Sequence, residues 1–125
     1  MDNVETLKKG RNLLLSLHKS LLDFERLVYE GTYGKVSAGA FLNLLLEDEN
    51  FSWLRRFSGV IVEIDELLAQ RDGFSDEAVS LHIEKVRDVI LFTDEESEFS
   101  LRYRGGLQQN VEAAAIHAEL QRLLA

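Results

Sequence analysis

The chain contains no cysteine and no proline among its 125 residues. Without cysteine there is no disulfide framework, no thiolate metal site and no cysteine nucleophile. Without proline nothing stops or kinks a helix from within, so long uninterrupted helices are open to this sequence. Long apolar runs are missing too. Residues 13–17, the longest early run, are interrupted by Ser16, which is too short for a signal-peptide core or a bilayer span. The expectation is a cytoplasmic protein with no membrane partner. Basic charge is scarce: 14 Lys and Arg face 22 Asp and Glu, a net charge of -8. Such a chain repels nucleic-acid phosphates and anionic lipid unless its basic residues cluster.

What remains is an ordinary globular composition, 46% hydrophobic and 29% charged, which argues against disorder. The length predicts one domain over residues 1–125. A chain of this size hides roughly two-thirds of the surface its unfolded form exposes, enough for a core without metal or disulfides.

The apolar positions follow helical spacing. Leu7, Leu14, Leu21 and Val28 recur every seven residues with Leu17 and Phe24 between them, which predicts one long helix over 3–30. Gly31 and Gly34 end it. Ser37 is placed to cap a second helix over 38–47. Asp48 or Asn50 caps a third over 51–70, with Trp53, Phe57, Val60, Ile61, Ile64, Leu67 and Leu68 on its stripe. Ser75 caps a fourth, predicted to end near Phe92 and to bury Val79, His82, Val86, Val89 and Ile90. Thr93 and Glu96 stand at capping-box spacing. A short helix carrying Phe99 and Tyr103 follows, read in preference to an extended piece because a lone strand would have no partner. Gly105–Gly106 is read as a break, and a last helix covers about 110–124. The fold class is therefore all-α, a bundle of four main helices plus one or two short ones.

Charge is uneven along the chain. Residues 1–36 hold six basic and five acidic groups, whereas residues 37–125 hold eight and seventeen. Lys8, Lys9 and Arg11 form one small basic group, and Arg102 and Arg104 another. Against the overall acidity they read as solvated helix faces, so a nucleic-acid partner is disfavoured.

Chemistry-bearing constellations are few. His18, His82 and His117 lie on or beside the stripes of three helices, and if they converged with Glu25 they would offer a metal site with open positions. No Glu-x-x-His pair, no Gly-x-Ser-x-Gly and no phosphate loop is present. Ser58, in mid-helix, more simply bonds the carbonyl one turn back. Trp53 is the only tryptophan; its place on a continuous stripe favours a core anchor over an interface anchor. If the first and third helices pack together, Asp23 or Glu25 is placed to pair with Arg55 or Arg56 and fix their register.

Two stretches suggest a likeness: Leu17-His18-Lys19-x-Leu21-Leu22-Asp23-x-Glu25-Arg26-x-x-Tyr29-Glu30 and Leu44-Leu45-x-x-Asp48-x-x-Phe51-x-Trp53-Leu54-Arg55. With Tyr103-x-x-x-Leu107-Gln108 and His117-Ala118-Glu119-Leu120, they make the chain resemble a group of small bacterial helical proteins with no assigned activity. The resemblance implies a bacterial, cytoplasmic, helical protein and carries no residue role.

The functional expectation is a non-enzymatic module that binds another protein or a second copy of itself. Leu13, Leu15, Leu22, Leu42 and Leu46 exceed what one small bundle needs, and surplus apolar helix surface often pairs across a symmetric dimer. The alternative is a bundle holding a metal or small cofactor through His18, His82, His117 and Glu25. No constellation supports catalysis, and no cofactor is expected under the favoured reading.

Overall fold

The computed structural model describes residues 2–91 and 96–125. The expected all-α class holds: six α-helices and one 3₁₀ segment are present, with no strand among the described residues. In chain order they are α1 (Asn3–Tyr33), α2 (Ala38–Glu47), the 3₁₀ segment (Glu49–Leu54), α3 (Arg55–Leu68), α4 (Asp76–Ile90), α5 (Glu98–Gln109) and α6 (Val111–Leu123).

The starts follow local chemistry. Asp2, Ser37, Ser75, Ser97 and Asn110 each sit in extended backbone and accept from an amide two or three residues ahead, satisfying donors that the first helical turn leaves free. α1 stops where Gly34 adopts φ 87°, its amide donating to the Glu30 carbonyl at 2.8 Å. Such positive φ costs a side-chain-bearing residue strain and glycine little.

Four expectations need correction. The third helix does not begin at Phe51. Residues 49–54 wind as a 3₁₀ segment that buries Phe51, Trp53 and Leu54, because three residues per turn bring Phe51 and Leu54 to one side. Second, Gly105–Gly106 is not a break: α5 runs straight through it. Gly106 is there for close approach, since a Cβ at that position would stand 2.9 Å from Leu21 Cδ2 and 3.7 Å from Trp53. Third, His82 is not on the buried face of α4. Val79, Ile83, Val86, Val89 and Ile90 form it, and His82 lies to one side with its Nδ1 2.7 Å from the Ala78 carbonyl. Finally, Val28 is not core, although it continues the seven-residue repeat of α1; it is 51% exposed. α4 ends at Ile90 with Leu91 as its cap, two residues before Phe92, and the capping role of Thr93 lies outside the described residues.

The core surrounds α1, which touches α3, α4 and α6. Leu7, Leu14, Leu17 and Leu21 of α1 meet Phe57, Ile61 and Ile64 of α3, with Val79, Val86 and Ile90 of α4 and Leu120 of α6 in the same cluster. Phe57 sits in a nest of rings, 5.1 Å from Tyr103, 5.5 Å from Phe99 and 6.2 Å from Trp53 between centroids. The pairs with Tyr103 and Trp53 are edge-on, and such pairs add about 0.5–1.5 kcal/mol each beyond their buried area. At the α5–α6 corner, Asn110 caps α6 through its Oδ1 while its Nδ2 donates to the carbonyl and hydroxyl of Ser20. One side chain thereby ties the corner to α1.

Candidate functional site

The residues after Leu21 in α1 are flanked by α2, the 3₁₀ segment and α5 rather than by the full bundle. Arg26 sets α2 in place. Its guanidinium donates to the Val36 carbonyl at 2.8 Å and lies 5.4 Å from the Phe41 ring centre, while Glu30 accepts from the Val36 amide at 2.9 Å. The loop before α2 is thus held on α1. Arg55, at the start of α3, donates to the Leu46 carbonyl at the other end of α2, covering an acceptor that a helix C-terminus leaves free.

Two concave features result. One is an apolar groove where α1, α2 and α3 meet, about 290 Å³ in volume, with His18, Leu22, Leu42, Leu45, Leu46 and Leu54 among its walls. No carboxylate lines it. Burial pushes the His18 imidazole below its ordinary pKa, so the ring is neutral near pH 7. Leu42 and Leu46 remain 54% and 58% exposed at the rim. The other feature is a polar cleft of similar size between the last third of α1, Asp48 to Phe51 and Arg102 of α5. Glu25, Tyr29 and Tyr33 line its α1 side. Burial raises the Glu25 carboxyl above its usual range, and the charge of Arg102 partly opposes that.

The ion pair expected between Asp23 or Glu25 and Arg55 or Arg56 is not formed. Asp23 pairs with Lys19 one turn earlier at 2.6 Å, Arg55 reaches the Leu46 carbonyl, and Arg56 lies over the Phe99 ring at 4.5 Å. Each guanidinium has a nearer acceptor or ring face. The α1–α3 bridge is instead Arg11 to Asp65, two parallel contacts of 2.9 and 3.0 Å. Both partners are partly in water, so the pair contributes at most about 1 kcal/mol.

The metal arrangement fails on geometry. His18 faces the Phe57 ring, His82 bonds the Ala78 carbonyl, and His117 Nδ1 meets the Tyr103 hydroxyl at 2.6 Å. No three His, Asp or Glu side chains gather as metal ligands among the described residues. Burial raises the Tyr103 pKa and lowers that of His117, so the phenol donates its proton to a neutral imidazole. Sequence reasoning misses this buried pair, because a separation of 14 residues across two helices leaves no local pattern to read.

Trp53 is buried, packed edge-on against Phe57. Its Nε1 has no hydrogen-bond partner among the described residues, at the cost that a stranded buried donor carries. Of the cleft, only Glu25 stands out in the sequence. Arg102 reads there as a solvated charge and Asn50 as a helix cap, while Tyr29 and Tyr33 carry no role.

No helix among the described residues is long and apolar enough to cross a membrane. Comparison with protein-family models, curated proteins and solved structures gives no match.

Proposed function

We propose that the protein is a non-enzymatic, self-associating helical module. In this reading α1, α3, α4 and α6 form a four-helix frame, with α2 and α5 as covers. Two copies join through the groove between α1, α2 and α3. The observation that carries the proposal is the pairing of Leu42 and Leu46, more than half exposed, with an apolar groove on the same face. A two-fold axis lets the leucine ridge of each copy enter the groove of the other, the self-complementarity that an isologous interface requires. Charge favours the same face. Each copy carries a net charge of -8, and repulsion between copies is least where the contact surface is free of carboxylates. Two leucines side by side also supply the apolar centre that interface anchors need.

The test is sedimentation of the untagged chain beside a Leu42→Glu, Leu46→Glu variant. The expected result is a dimer that tightens as salt screens the repulsion, against a monomeric variant of unchanged helicity and melting temperature. A wild-type chain that stays monomeric into the high micromolar range overturns the proposal. So does a variant that still dimerises.

A further inference from the structure

The polar cleft shares no lining residue with the apolar groove, so it stands or falls independently of self-association. We infer that this cleft binds a free aromatic α-amino acid as its zwitterion, with the ammonium on Glu25, the carboxylate on Arg102 and the ring against Tyr29 and Tyr33.

Three charges line the cavity, Glu25, Asp48 and Arg102. Asp48 accepts from the Asn50 amide at 2.9 Å, which leaves Glu25 and Arg102 as the two of opposite sign that face it without closing on each other. Glu25 makes no hydrogen bond or ion pair among the described residues, yet it is half-buried and within reach of the Arg102 charge. Arg102 is loosely engaged: its contacts are Asn50 Oδ1 at 3.4 Å and Glu98 at 3.9 Å, both longer than a normal charged hydrogen bond of about 2.7–2.9 Å. A carboxylate and a guanidinium that could pair, but stand apart across a cavity, match a ligand carrying both opposite charges. An amine alone leaves Arg102 unanswered, and an acid alone leaves Glu25 so.

The walls supply the third element. The Tyr29 and Tyr33 rings lie 4.8 Å apart between centroids, and Phe51 lies 6.1 Å from Tyr29. Val28 also lines the cleft, and Tyr33 is 73% exposed. An aromatic side chain laid here covers apolar surface that the fold leaves wet, in the offset geometries that rings prefer. The volume, about 290 Å³, falls just below the range for ligand pockets (roughly 300–1,000 Å³). It suits a molecule of single-amino-acid size.

The experiment is a ¹H–¹⁵N titration of the full chain with L-phenylalanine, repeated with 2-phenylethylamine and 3-phenylpropionate. Expected are saturating shifts at Tyr29, Tyr33, Asn50, Phe51 and Arg102, with each analogue weaker by about tenfold or more. Glu25→Gln and Arg102→Met are expected to weaken L-phenylalanine by a similar factor. Glu25 has no internal bond to lose, so its variant keeps the fold, which a melting curve checks. The analogue series on the wild-type chain decides the matter if Arg102→Met does not fold. Absence of saturable shifts overturns the proposal, as do shifts confined to other surfaces or analogues that bind as well as the amino acid.

Discussion

Between Leu7 and Leu21, α1 buries six positions; between Leu22 and Tyr33 it buries none. Both parts belong to one unbroken helix and share one seven-residue repeat. Lengths account for the difference. α1 has 31 residues and spans about 46 Å at 1.5 Å per residue, whereas α3, α4 and α6 have 14, 15 and 13 and span about half as much. Helices that short cannot cover α1 along its whole length. Its last third outruns them and receives α2, the 3₁₀ segment and α5 as partial cover. There Leu27 is 68% exposed, and the α1 wall of the polar cleft lies wholly beyond Leu21. An apolar stripe therefore states which face of a helix can be buried, while its neighbours decide how far along the burial extends.

The sharpest way to break this contrast is to truncate one leucine in each part. Leu14→Ala, in the fully buried stretch, is expected to cost about 2–5 kcal/mol. Leu27→Ala is expected to stay within about 0.5 kcal/mol. Urea denaturation of both variants checks this; equal losses would mean that the last third of α1 is covered in solution.

A second pair probes the boundary at Leu21. Gly106→Ala forces a methyl to 2.9 Å from Leu21 Cδ2 in a closed core, where overpacking costs about 1–3 kcal/mol, more than the gain of up to about 1 kcal/mol in helix propensity. At Gly105, one residue earlier in the same helix, an added Cβ would meet nothing within 4 Å. Gly105→Ala is therefore expected to stabilise by up to about 1 kcal/mol. Opposite signs in thermal melting support the close approach; matching signs refute it.

The smallest effect is the pH dependence. His18 and His117 both have pKa values lowered by burial. Their contribution is fully present above the unfolded value near 6.5 and is lost as pH falls from there through the lowered folded values. Glu25 acts in the opposite sense. Its raised pKa favours the fold below the unfolded value of 4.5 and loses that contribution as pH rises through the folded value. Stability is thus expected to decline from about pH 7.5 to about pH 5.5, most clearly in Glu25→Gln, where the opposing group is gone. A flat urea midpoint over that range would refute the burial of the two histidines.

Some of this is legible in the residues. Ser37 and Ser75 read as caps and act as caps, because a cap bonds an amide within three residues. The stripe of α1 is legible for the same reason, helical spacing being local. The cleft is legible only as Glu25. Its other side comes from Asn50 and Arg102, respectively 25 and 77 residues further along the chain, and nothing in the sequence brings them together. Likewise Asp23 and Arg55 carry the right charges for a bridge, yet the bridge forms between Arg11 and Asp65.

Sequence alone determined the all-α class, most helix starts and the buried face of the first half of α1, since each depends on hydrogen bonds or side-chain neighbours within about four residues. Tertiary structure decided that α5 passes through two glycines, that Tyr103 meets His117, and that Val28 stays in water while Leu21 does not. Those outcomes depend on how long each helix is relative to the helices packed against it, and on which distant side chains that packing brings into reach.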